Sequence, residues 1–136
     1  MFKRYYCFLL TAIALLGCMA ARSQPVTNRD QAEERILNAK QDTDKVNLLY
    51  TLGQEVEGSE PELAKHYYTR AYQLSKKAGY PLGQLKYYAN YTAVLNMQGR
   101  FDSSLKLNLE AVDMATRLQN EERIAISLQN VASTYF

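Results

Sequence analysis

Residues 85–115, LKYYANYTAVLNMQGRFDSSLKLNLEAVDMA, decide the fold. Apolar side chains recur at Leu85, Tyr88, Tyr91, Val94 and Leu95 in the first half. In the second they recur at Phe101, Leu105, Leu107, Ala111, Val112 and Met114. Intervals of three and four are the period of one helix face. Between the halves stands Gln98-Gly99-Arg100. Gly99, with no Cβ to meet the neighbouring carbonyl, is where a left-handed helix stop costs least. Asp102 and Ser103 offer side-chain oxygens to cap the helix that follows. The stretch is predicted to be a hairpin of two helices.

The unit recurs outward from there. Ala71 and Ala111 lie 40 residues apart, as do Tyr88 and Leu128, and KYYANYTAVLN (86–96) is echoed by ISLQNVASTYF (126–136). Leu49 and Tyr88 are 39 apart, a difference assigned to a turn at Glu57-Gly58-Ser59 that is one residue shorter. Helix pairs repeating at this period predict an all-α solenoid, in which each unit buries its apolar side against the next. The predicted segments are a leader over 1–23, a spacer and short helix over 24–43, and hairpins over 44–79 and 80–119. Residues 120–136 form the first helix of a third, incomplete hairpin. Within 24–43, Thr27-Asn28 starts a helix over 30–39 with Ala32, Ile36 and Leu37 as its stripe, and Asp42 or Thr43 caps the next. Ser59-Glu60-Pro61-Glu62 reads as a capping box with proline in the first turn, where its missing N–H is harmless. Gly79 and Pro81 separate the hairpins, and Asn120-Glu121-Glu122 opens the last helix.

The first 23 residues read as a targeting segment rather than as structure. Lys3-Arg4 form a positive start, and the apolar run of 8–16 is too short to cross a bilayer as a stable helix. Two processing sites compete. Leu15-Leu16-Gly17-Cys18 resembles a bacterial lipobox in which Cys18 is lipidated, and Ala21-Arg22-Ser23 before Gln24 resembles an ordinary signal-peptidase site. Either implies export, to a periplasmic or membrane-associated location in a bacterium. Both cysteines, Cys7 and Cys18, fall in the leader. The mature chain therefore has no thiol for a disulfide, a zinc site or nucleophilic catalysis.

Charge narrows the function classes further. Of 16 Lys and Arg, three (Lys3, Arg4, Arg22) lie in the leader, which leaves 13 against 14 Asp and Glu. A near-neutral mature chain gives no nucleic-acid surface. His66 is the only histidine, so a histidine metal site lacks partners. Glu33-Glu34 and Glu121-Glu122 are helix neighbours pointing about 100° apart, which suits the dipole at a helix start and not a shared proton. The 11 tyrosines, among them Tyr67, Tyr68, Tyr87, Tyr88 and Tyr91, are expected to pack between helices. Asn90-Tyr91-Thr92 matches a glycosylation sequon, but Tyr91 falls on the predicted core face. No phosphate loop, nucleophile elbow or metal-spaced cluster is present, and neither cofactor nor metal is expected.

On these residues the hairpins resemble tetratricopeptide repeats of the variety about 40 residues long. The resemblance covers residues 46–136. It implies small residues where paired helices cross: Gly53, Ala64 and Ala71, then Thr92, Ser104 and Ala111, with Ala132 beginning the third set. It implies large apolar positions at Leu49, Leu52, Val56, Tyr68 and Leu74, then Tyr88, Tyr91, Leu95, Phe101 and Met114, then Leu128, Val131 and Tyr135. Asn108 departs from the pattern by standing where the family has an aromatic residue, and the tryptophan common early in the first helix is absent. The family's first helices line a concave surface that grips proteins or peptides. Carried over, that groove presents Asn47, Tyr50, Gln54, Lys86, Asn90, Asn96, Gln129 and Ser133. The places that hold Lys and Asn in carboxylate-clamping members are Tyr50, Gln54, Ala89 and Ala93 here, which points to an uncharged segment instead.

The resemblance therefore implies a non-catalytic interaction scaffold for a protein or peptide, its own missing C-terminal repeats among the candidates. The leader and the apolar last helix together predict the exported N-terminal sensor of a longer membrane signalling protein, such as a histidine kinase or transcriptional regulator. Attachment to a membrane then comes only from the leader, a lipid on Cys18 or a downstream helix. The alternative is a stand-alone exported lipoprotein scaffold that helps assemble an envelope complex.

Overall fold

Every twenty residues through the second half of the chain, one residue turns left-handed: Gly79 at φ 58°, Gly99 at φ 68° and Gln119 at φ 52°. The computed structural model describes residues 28–135, and these form six helices with no strand among them. They are α1 (Asn28–Asn38), α2 (Asp42–Val56), α3 (Pro61–Lys77), α4 (Pro81–Met97), α5 (Phe101–Arg117) and α6 (Glu121–Ser133). The predicted leader, with both its processing sites, lies outside the described residues.

The left-handed residues close three turns of one design. Tyr80 N donates to Ser75 O, Arg100 N to Leu95 O and Asn120 N to Ala115 O, at 2.8, 2.8 and 3.2 Å. Gly79, Gly99 and Gln119 each donate to the carbonyl three residues back. This paired pattern satisfies the last carbonyls of a helix. Helices of 17 residues and turns of three give the twenty-residue step. The first turn differs. Residue 58 is not left-handed, and Ser59 and Glu60 donate to Val56 O instead. The expected shorter turn is corrected here: α2 ends two residues early, at 15 residues, while its connection is one residue longer.

The capping expectations need a second correction. Helix α3 starts from Glu60 without a side-chain cap, and Ser59 Oγ turns back to Val56 O at 3.4 Å, so the capping box does not form. Neither Asp42 nor Thr43 caps α2, and neither Asp102 nor Ser103 caps α5; the cap positions are Gln41 and Arg100. With a tight preceding turn or a proline fixing the start, these helices begin without such a cap. Asn120 does cap α6, accepting from Arg123 N at 3.0 Å.

Within the unit Ala32–Phe136, each helix from α2 onward packs on its successor. In addition α2 touches α4 and α4 touches α6, whereas α3 and α5 do not touch. This one-sided stacking is compatible with an α-solenoid. The apolar core falls into two clusters. The larger joins Ala32 and Ile36 of α1 to Val46, Leu49, Tyr68 and Ala71 and reaches Val94. The smaller holds Leu85, Tyr88, Ala111 and Ala115, with Ile124 of α6 against it. Ala64, Ala71, Ser104 and Ala111 are all buried at helix crossings, where interaxial distances of about 8–10 Å admit only small side chains.

Candidate functional site: the face shared by α2, α4 and α6

Stacking α2 against α4 brings four of the eight predicted groove residues together. Lys86 Nζ donates to Asn47 Oδ1 at 2.8 Å, and Gln54 Nε2 donates to Asn90 Oδ1 at 2.8 Å. Asn90 Nδ2 donates to its own helix at Lys86 O, also at 2.8 Å. The two rungs are a polar ladder between helices whose residues are 36 and 39 apart in sequence. They leave Asn47 Nδ2, Gln54 Oε1 and the rest of the Lys86 ammonium to face a ligand. Such groups can hydrogen-bond a peptide backbone; they supply no nucleophile and no general base.

The other four do not join the ladder. Tyr50 is a correction: it is 3% exposed and belongs to the core, not to a groove wall. Its ring lies 6.0 Å from that of Tyr68, and its hydroxyl donates to Gly83 O at 2.8 Å. Helix α2 has neighbours on several sides, so a residue next to the Leu49 core position still meets protein, here α4. Burial raises the Tyr50 pKa above its usual value. Asn96 is half-buried with Oδ1 unpartnered. Gln129 and Ser133 are exposed on α6, and Ser133 Oγ donates to the carbonyls of Gln129 and Asn130 at 2.9 and 3.2 Å. Cys18 lies outside the described residues.

Beneath this face the second hairpin holds a buried polar knot that sequence reasoning missed. Asn108, fully buried, donates through Nδ2 to Thr134 Oγ1 at 3.1 Å, Asn130 O at 3.1 Å and Ser104 Oγ at 3.4 Å. Its Oδ1 accepts from Thr92 Oγ1 at 3.0 Å. One amide thus ties α4, α5 and α6 together. In the first hairpin the same place holds Tyr68, fully buried against Gly53. A Cβ on Gly53 would sit 2.1 Å from Tyr68 Cε1. The pairs are alternatives: glycine with tyrosine, or threonine with asparagine. The departure at Asn108 was visible as a sequence anomaly; its meaning needed Thr92, forty residues less one after Gly53.

The tyrosines pack between helices. Tyr72 stacks on Tyr87 with centroids 4.5 Å apart, and Tyr87 lies 4.9 Å from Tyr91. Burial, then the neighbouring Tyr91 and Tyr72, pushes the Tyr87 hydroxyl up to about 12. Tyr68 and Tyr88 are raised as well, chiefly by burial. His66 is exposed on α3. Glu33 receives Arg70 in a two-pronged ion pair, Nη1–Oε1 2.5 Å and Nη2–Oε2 3.0 Å, while Arg70 lies 6.0 Å from the centre of the Tyr67 ring. A shallow depression of about 530 Å³ runs along α5, lined by Asp102, Leu105, Lys106, Leu109, Glu110 and Asp113, none of them a predicted groove residue. Among the described residues no group of His, Cys, Asp and Glu is arranged to hold a metal, and no helix is long and apolar enough to cross a membrane. No protein-family model, curated protein or solved structure matches this chain.

Proposed function

We propose that this chain is a non-catalytic interaction scaffold of tetratricopeptide type, whose partner is an extended, uncharged peptide segment laid across α2 and α4. The observation that carries this reading is the ladder of Asn47, Gln54, Lys86 and Asn90. Side chains from two sequence-distant helices meet there already oriented by each other, so a ligand need not bear the cost of ordering them. Neutral amides beside one lysine suit backbone carbonyls and amides better than a carboxylate terminus. The leader-like sequence and the family resemblance support placing the scaffold outside the cytoplasm, as the input part of a membrane signalling protein.

Peptide display against the full chain tests the binding reading. Enriched peptides are expected to lose at least tenfold in affinity on Asn90→Ala or Lys86→Glu and to be indifferent to Lys106→Glu on α5. Peptides that bind all three variants alike, or no enrichment at all, would remove the proposed site.

A further inference from the structure

The outward side of α6 repeats a surface that α4 buries. Leu128 and Tyr135 lie forty residues after Tyr88 and Leu95, which are 8% and 1% exposed, yet Leu128 is 51% and Tyr135 69% exposed. Ala132, also exposed, stands forty residues after the buried Thr92. On α4 this side is covered by α5: Tyr88 clusters with Ala111 and Ala115, and Thr92 bonds Asn108. On α6 nothing in the described chain covers it, although the opposite side is fixed through Asn130 and Thr134 to Asn108.

We propose that this side of α6 docks an amphipathic helix of a partner protein, antiparallel to α6, and that the chain itself specifies that helix. It carries small residues seven apart, because the helices that cover α2 and α4 present Ala64 with Ala71 and Ser104 with Ala111, all buried. Four positions after the first small residue it carries a side chain of middling size and no aromatic ring. Tyr68 fits that place only because Gly53 has no Cβ, and Ala132 has one. Its last turn is basic. Helix α6 opens on Glu121 and Glu122, both exposed, at the end where an antiparallel neighbour finishes. The same complementarity exists in the first hairpin, where α2 opens on Asp42 and Asp44 and α3 closes on Lys76 and Lys77. The docking surface is continuous with the α4–α5 interface and separate from the ladder.

Labelled synthetic copies of residues 101–117 titrated with the full chain make the test. The Asn108→Leu peptide is expected to bind saturably, and the Asn108→Tyr peptide at least tenfold more weakly. A Leu128→Asp chain should lose binding of the first peptide at least tenfold. Glu121→Lys with Glu122→Lys should weaken it several-fold, and Arg117→Glu in the peptide should recover it. The substituted residues in the chain are exposed, and circular dichroism verifies that the variants stay helical. Absence of binding, or binding that ignores Leu128→Asp, overturns the proposal. So does self-association of the chain that Leu128→Asp abolishes, since a second copy then occupies the face.

Discussion

At the scale of single residues, this fold depends on matched pairs. Gly53 under Tyr68 and Thr92 under Asn108 fill equivalent places by opposite means, one by shape and one by hydrogen bonds. Adding a methyl group at Gly53 forces the Tyr68 ring aside, so Gly53→Ala is expected to cost about 3 kcal/mol in chemical denaturation, the upper end of overpacking. The double variant Gly53→Thr with Tyr68→Asn, which copies the second hairpin, should recover part of that loss. The tyrosines give a pH dependence with a definite sign. Their folded pKa values lie above 10 because burial disfavours the phenolate. Their contribution is therefore complete below pH 10 and is lost as pH rises through the folded values, near 12 for Tyr87. Absorbance titration should show most tyrosines ionising together with loss of helix, not independently at pH 10. Sequence spacing identified Tyr68 and Tyr88 as core residues. It misplaced Tyr50, because the carbonyl of Gly83 that receives its hydroxyl belongs to another hairpin.

At the scale of helices and turns, Gln119 is the exception that proves adjustable. It holds the left-handed position that glycine fills at 79 and 99. A side chain there costs about 1–2 kcal/mol, and glycine gives back part of the gain through its freer unfolded chain. Gln119→Gly is thus expected to stabilise by about 0.5–1 kcal/mol, read as a raised denaturation midpoint. Helix α1 is attached by Ala32 and Ile36 in the first core cluster and by the Glu33–Arg70 pair. Arg70 holds the Glu33 carboxyl below its ordinary range, so the contribution of the pair is present above pH 4.5 and fades as pH falls through the depressed value. Both side chains are more than a third exposed, and solvent screening limits Arg70→Ala to about 0.5–1 kcal/mol. The difference between this variant and the unaltered chain should shrink on acidification below pH 4.

At the scale of the whole molecule, the two apolar clusters are unequal, and α6 holds no fully apolar side chain among its buried residues, only Ser127. Hydrogen exchange should therefore open α6 first and α2 to α4 last, because local stability follows buried apolar contact; uniform protection across all helices would contradict this. Asn108→Ala should widen the gap by freeing α6 from its polar knot, at a cost of about 2 kcal/mol for the groups left unpaired. The sequence by itself determined the number and length of the helices, the twenty-residue rhythm set by Gly79 and Gly99, and the small residues at crossings. Those features are local or periodic, and a period of three and four or a missing Cβ can be read without knowing any neighbour. Only the tertiary structure decided which polar residues meet. Gln54 finds Asn90, Lys86 finds Asn47, and Asn108 is buried rather than exposed, because the identity of a partner helix is fixed by stacking across 16 to 39 residues of intervening chain.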